Sequence, residues 1–214
     1  MEQDSLIPRR FIRIHLGPAP IPEMFDEWWE TFKQLHPGYD FMTLRDGSLI
    51  PPALQDIFNS CTSYSNQSDV LRYVALQQFG GVYVDTDVMP LRSFDDLLSL
   101  GPFAGKRSSK SFEAAVIGSP ARHPAVEALL AALPEWYWTN YKLTTLPVSA
   151  AFLSRIWFNR SDVQHLPSHA FYPYNGFGAP KRADKLKMFA ERNFHKDAYC
   201  AHFSNHRWGG KPKP

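Results

Sequence analysis

The stretch Ser68–Val88, SDVLRYVALQQFGGVYVDTDV, decides how the chain is read. It has the pattern of a helix, a glycine break, a short strand, and two carboxylates one residue apart at the strand's end. Ser65 or Ser68 can cap the helix, and an Asp in the first turn, Asp69, suits the positive end of the helix dipole. Val70, Leu71, Val74, Ala75, Leu76 and Phe79 leave it little polar surface, which predicts a buried helix. Gly80 and Gly81 end it where a left-handed residue is needed. Val82, Tyr83 and Val84 are β-branched or aromatic, as strands prefer. Alternation then places Tyr83, Asp85 and, if the strand continues, Asp87 on one face. Two acidic groups so close repel unless a cation lies between them, and carboxylate oxygens suit Mg²⁺ or Mn²⁺. Most isolated Asp-x-Asp triplets are simply acidic turns. The surroundings must decide.

The 214 residues can bury a sizeable core, and 21% charged residues is ordinary for a globular chain. A net charge of +2, without a dense Lys/Arg block, gives no argument for nucleic-acid binding. Cys61 and Cys200 make no disulfide framework and no Cys-x-x-Cys metal spacing; buried thiols in a reducing compartment are expected. The N-terminus MEQDSLIPRR lacks the apolar core of a signal peptide, and no apolar run approaches a membrane span. A cytoplasmic location is the expectation.

Outward from the central stretch, Phe11–Gly17 reads as a first strand ending at a glycine, where α/β proteins often deliver a loop to a nucleotide. Met24–Leu35 is an amphipathic helix whose Phe25, Trp28, Trp29 and Phe32 form a core-facing stripe. Tyr39–Leu44 is a second strand, and residues 46–60 give a Pro-rich loop and a short helix. Val88–Pro90 ends the central strand. Residues 105–111 read as a polar, basic loop after a strand at Phe103-Ala104, with Phe112–Ile117 as the next strand. Ala125–Leu133 is a helix, and the aromatic Pro134–Trp138 is expected to pack under a loop or line an acceptor site. Thr145–Phe158 and Ala183–Arg192 are further helices, and Tyr199–Phe203 is the last strand. One domain over 1–208 is expected, with 209–214 a flexible tail or a linker to further domains.

The pattern Asp69-x-x-Arg72-Tyr73-x-x-Leu76-x-x-x-Gly80-Gly81-x-Tyr83-x-Asp85-x-Asp87 resembles the DXD sugar-binding region of glycosyltransferase family 32. That group holds fungal initiating mannosyltransferases and capsular-polysaccharide transferases, with the catalytic domains of clostridial glucosylating toxins as relatives. Weaker similarity covers most of the chain. Ile7-Pro8-Arg9 to Gly17 resembles the opening strand, His36–Tyr39 the His-Pro-Gly-Tyr turn, Thr145-Leu146-Pro147 a Thr-Gly-Pro, and the end a His…Trp closure. Three places depart from the pattern. His15 stands where relatives carry a base-stacking Trp, and Glu113 stands where an Asn is expected. The closing segment has His206-Arg207-Trp208 rather than Ser-Trp, and in part resembles the His-Phe…Trp ending of glycogenin-like transferases, in which the His completes the metal site.

The resemblance implies an α/β GT-A fold, a Rossmann-like nucleotide-binding domain with a mixed sheet. It implies transfer of a hexose from a nucleotide sugar to a hydroxyl acceptor, with UDP-sugars favoured and GDP-mannose close behind as donor, and with retention of configuration. The acceptor can be a glycan, a glycoprotein or a lipid-linked sugar. Asp85 and Asp87 are carried over as metal ligands, with His202 as the third and His206 as its alternate, holding Mn²⁺ or Mg²⁺. Arg72 joins Asp85 and Asp87 as catalytic. Donor contacts fall to His15, Leu16, Gly17, Asp69, Arg72, Tyr83, Asp85, Arg207 and Trp208, while Lys211 or Lys106-Arg107 could close over the phosphates.

Two rival readings remain. Val84-Asp85-Thr86-Asp87-Val88 also fits the nucleophile motif of haloacid-dehalogenase phosphatases, with Asp85 phosphorylated and Asp87 as acid/base. That chemistry needs a later Asp pair, and Asp95-Asp96 lies too close. A non-catalytic glycan-binding module of the same fold is the other.

Overall fold

The computed structural model describes residues 6–143, 148–173, 182–192 and 194–204. A six-stranded mixed sheet runs in the order β2-β1-β3-β6-β5-β7. Here β1 is Arg10–Ile14, β2 Asp40–Leu44, β3 Gly81–Val84, β5 Phe103–Ser108, β6 Ser111–Ser119 and β7 Gln164–Leu166. The β2-β1-β3 half is parallel, β6 is antiparallel to both β3 and β5, and β7 joins parallel to β5. A separate ribbon pairs β4 (Val88–Pro90) antiparallel with β8 (Cys200–His202).

Alternation along the strands sends successive side chains to opposite faces. On one face Ile12, Ile14, Tyr83 and Ile117 pack with Val70 and Leu71 of α3 (Tyr64–Phe79), Leu54 and Ile57 of α2 (Pro52–Ser60), Leu129 of α4 (Pro124–Asn140) and Trp157 of α5 (Ala150–Trp157). On the other, Phe11, Val82 and Val84 pack with Trp29 and Phe32 of α1 (Glu23–Leu35) and with Phe171 of α6 (Ser168–Phe171). The aromatic stripe of α1 is thus core, as its spacing predicts. A third cluster gathers Phe25, Trp28, Met89, Ala201, Phe203 and Phe189, the last from α7 (Arg182–Glu191). It fastens the small ribbon to α1. Cys61 and Cys200 are free and buried. Among the described residues, no helix is long and apolar enough to cross a membrane.

Several local expectations change. The cap of α3 is Ser63, whose hydroxyl accepts from the Asn66 backbone N–H at 3.2 Å, rather than Ser65 or Ser68. Asp69 therefore lies beyond the first turn. Residues 105–111 are not a basic loop: β5 and β6 form a hairpin, closed by a 2.7 Å bond between the Ser108 and Ser111 hydroxyls. Val88–Pro90 is a strand of its own, because β8 offers it a partner. Helix α4 runs through Pro134 to Asn140, with Leu133 and Tyr137 buried on either side of the proline. Packing there overrides the lost hydrogen bond that usually ends a helix at proline. The expected Thr145-Leu146-Pro147 feature lies outside the described residues, as do His206, Arg207, Trp208, Lys211 and the tail.

Candidate donor and metal site

Helix α3 and strand β3 meet at a corner that only glycine can make. Gly80 has φ +60°, and a Cβ there would lie 2.5 Å from the Ala121 nitrogen. Gly81 has φ +109°, and its Cβ would lie 2.7 Å from the Arg10 carbonyl oxygen. The corner brings α3 back across the sheet, so Asp69 and Arg72 face the end of β3. Their side chains join at 2.6 Å, and both are almost fully buried. Arg72 also donates to the Ala114 carbonyl at 2.6 Å, lies 4.6 Å from the Tyr83 ring centroid, and reaches Asp85 Oδ1 at 3.5 Å. Tyr83 donates its hydroxyl to the same Asp85 oxygen at 2.6 Å. One face of Asp85 is thereby fixed.

The strand does not persist to Asp87. The Asp85 N–H still bonds the Ala115 carbonyl at 2.8 Å, but the chain then turns, with Val88 N–H donating to Asp85 C=O at 3.1 Å. Thr86 ties this turn to β1 by donating to the Ile14 carbonyl at 3.0 Å. Asp87 is turned toward the ribbon, where its carbonyl accepts from Phe203 N–H at 2.8 Å. Residue 202 is thereby placed beside it. His202 Nε2 is 3.2 Å from Asp87 Oδ1 and 3.6 Å from Asp85 Oδ2, and its Nδ1 lies 3.2 Å from the Ser204 hydroxyl. One ligand atom from each of Asp85, Asp87 and His202 lies within 4.8 Å of the others.

Electrostatics follow this crowding. Burial alone would depress His202, but Asp87, by charge and hydrogen bond, and then Asp85 outweigh it and lift its pKa to about 9. Burial pushes the Asp69 carboxyl up to about 6 against the pull of Arg72. Burial also works against the Arg72 charge, yet Tyr83, Asp69 and Asp85 hold its pKa above the ordinary value. Two carboxylate donors and one imidazole form a set that suits Mn²⁺, and Mg²⁺ less well, since carboxylate oxygen serves both while imidazole favours the transition metal.

The residues expected on the nucleotide side lie at the same end of the sheet. His15 follows β1, is buried, and bonds the Ala19 carbonyl at 2.8 Å through Nε2. Gly17, at φ +88°, lets the loop pass against Tyr64 at the start of α3, where a Cβ would meet the ring at 2.5 Å. Lys106 and Arg107 lie on β5, and Arg107 stands 3.9 Å from Glu113. Of the expected set, the structure gathers Asp69, Arg72, Tyr83, Asp85, Asp87 and His202 directly, with His15–Gly17 joined through the Thr86 turn.

Sequence reasoning missed the supports. Thr86, the Ala114 carbonyl and Ser204 carry no motif signal, because each acts through backbone or a single hydroxyl. Glu113 was marked only as a departure; its charge acts on both Asp69 and His202.

Comparison with known proteins bears on this arrangement. The family described as glycosyltransferase sugar-binding region containing DXD motif matches residues 22–104. Residues 22–104 thus match that sugar-binding region, with Asp85 and Asp87 as its DXD. Among curated relatives, mannosyl phosphorylinositol ceramide synthase SUR1 of Saccharomyces cerevisiae is 31% identical over 162 residues, covering 72% of this chain and 42% of the relative. The chain thus spans less than half the length of that protein. Among solved structures, PaToxG glycosyltransferase superposes with a TM-score of 0.58 at 14% identity, covering 72% of this chain and 70% of the other. LgtC, as an active-site mutant, superposes with a TM-score of 0.54 at 13% identity, covering 92% and 87%. The chain therefore has a GT-A fold.

Proposed function

We propose that this chain transfers a hexose from a nucleotide sugar to a hydroxyl acceptor, with a divalent cation held by Asp85, Asp87 and His202. The observation that carries the reading is the convergence of those three residues beside the buried Asp69–Arg72 pair. When bound, the cation supplies Lewis-acid stabilisation of the departing diphosphate. Asp85 is held by Tyr83 and Arg72 so that one oxygen stays aimed at the cation position. Asp69 and Arg72 serve the donor sugar's hydroxyls. Asp69 Oδ2 and Arg72 Nε are buried without a hydrogen-bond partner among the described residues, an expense to the fold that a polar ligand would offset. His15–Gly17 form the nucleoside side, Trp208 is a further donor contact, Arg207, Lys211 or Lys106-Arg107 close over the phosphates, and residues 1–208 are the catalytic unit.

The relatives' names favour mannose as the sugar and an inositol phosphoceramide, a lipid, as the acceptor class. GDP-mannose is therefore the first donor to try and UDP-sugars the second. Retention of configuration is taken from the family resemblance.

Titration calorimetry with GDP-mannose and with UDP-sugars, with and without Mn²⁺, tests the reading. Metal-dependent binding abolished by Asp87→Ala is expected. Equal affinity with and without the ion would overturn the assignment of the three ligands, and binding of a free glycan without donor turnover would favour the non-catalytic module.

A further inference from the structure

The C-terminal end of α4 carries an apolar edge that the donor and metal residues do not use. Trp138 is 47% exposed and Leu143 78% exposed. Tyr141, half-buried between them, stacks on Tyr137 at 5.7 Å and meets Trp138 edge-on at 5.3 Å, while Lys142 Nζ lies 5.5 Å from its ring centroid. Glu135 and Lys142 are exposed beside Trp138, so the edge carries both signs and no excess of either.

This edge lies at the same end of the sheet as the site. Strand β6 runs antiparallel to β3 and ends with Ser119 opposite Gly81, so α4 starts at the far end and its C-terminus returns to the end that carries Asp85. Tyr137 is buried beneath Trp138, with ring centroids 5.1 Å apart. The aromatic edge and the Asp69–Arg72 pair therefore share one end of the molecule.

A single exposed leucine is ordinary. An exposed Trp and Leu with a half-buried Tyr and a Lys between them, along one rim, is a different composition. Indole and phenol rings with an apolar body and a polar tip settle at the headgroup level of a bilayer. A lysine there can lay its stem along the apolar layer with its charge in water. A ceramide-anchored acceptor keeps its sugar-accepting hydroxyl at that same level, so an enzyme acting on it must bring its site to the lipid surface.

We propose that Trp138, Tyr141, Lys142 and Leu143 form a membrane-docking edge that seats the site against a lipid bilayer. The choice of occupant rests on the lipid-acceptor reading above. The rings and Leu143 supply the attachment, and charge plays the smaller part because Glu135 balances Lys142.

The test uses the full chain and phosphatidylcholine vesicles containing phosphatidylinositol, with a second set brominated in the acyl chains. The wild type is expected to co-sediment with vesicles and to lose tryptophan fluorescence to the brominated lipid. The Trp138→Ala/Leu143→Ala variant should bind about tenfold more weakly with unchanged melting temperature, since interfacial affinity scales with the apolar area inserted. Trp138→Phe, which keeps the ring, should retain vesicle binding and lose much of the quenching. Failure of the folded wild type to bind vesicles, equal binding by the double variant, or self-association abolished by it in place of lipid binding would each overturn the proposal. Mn²⁺-dependent donor binding, measured in parallel without lipid, keeps the two readings apart. It should be unchanged in the double variant, whereas Asp87→Ala should lose donor binding and still sediment with vesicles.

Discussion

His202 Nε2 stands 3.2 Å from Asp87 Oδ1, although one residue belongs to β8 and the other to the turn after β3. What brings them together is backbone: the Phe203 N–H to Asp87 carbonyl bond extends the β4–β8 ribbon by one step. The imidazole is thereby set beside the two carboxylates by a ladder of main-chain bonds, to which its own contacts with Asp87 and Ser204 add. His202→Ala should therefore leave the ribbon intact and lower the metal-free melting temperature at neutral pH only by what the charged pair contributes, while Mn²⁺ affinity falls by about tenfold or more through loss of a ligand. Calorimetry beside a melting curve taken near pH 9, where that contribution fades, checks this; a collapse of the fold there would show that the imidazole is structural.

The metal-free site should give up a proton when it takes up an ion. His202 has its pKa raised from 6.5 to about 9, so it is charged at neutral pH and must be neutral to ligate. Mn²⁺ affinity should climb as pH rises toward 9, and titrations in buffers of different ionisation enthalpy should reveal proton release at pH 7.5. The same shift acts on folding with a definite sign. A raised folded pKa stabilises the metal-free protein fully below about 6.5, and that contribution is lost as pH rises through about 9. Saturating Mn²⁺ should erase this trend in the melting temperature.

The Asp69–Arg72 pair invites a double-mutant cycle. Arg72→Leu leaves the Asp69 carboxyl buried alone and should cost about 3–5 kcal/mol, read as a drop in denaturation midpoint. Asp69→Asn should cost less, because burial already holds that carboxyl up to about 6. Removing both partners should recover part of the single-mutant loss. Additive losses would contradict a coupled pair.

Gly80→Ala and Gly81→Ala should each destabilise by about 3 kcal/mol, since both demand positive φ and both face backbone atoms that cannot move aside. Gly38→Ala provides the comparison. It too has positive φ, at +82°, but its Cβ would meet nothing within 4 Å. Chemical denaturation should show it to be the mildest of the three.

Pro134→Ala should stabilise the fold by about 1–3 kcal/mol, because it restores an N–H inside α4. A rise in melting temperature checks it. No rise would mean that the proline's constraint sets the packing of Tyr137.

Much of the site was legible because its residues lie on one long, strongly patterned segment. Asp69 and Arg72 are neighbours on a helical face, and the glycine pair announces the corner to Tyr83 and Asp85. The family resemblance supplied His202, which no local pattern could join to Asp87. Other features were hidden for physical reasons. The turn at Thr86–Asp87 and the short strand β4 exist only because β1 and β8 offer partners, and a three-residue strand has no period to read. The Lys106–Arg107 segment looked like a loop because its charges mask the cross-strand pairing of β5 with β6. At Pro134 the local rule was sound, and tertiary packing overruled it.

The β4–β8 ribbon has a consequence for how the molecule comes into being. Synthesis delivers Asp85 and Asp87 early, and they can reach their places with α3 and the first strands. His202 arrives only with the last strand described here. Between residues 87 and 202 a growing chain thus holds an acidic pair lacking its imidazole. On the proposed reading, the three-ligand site is complete only once β8 has paired beside β4.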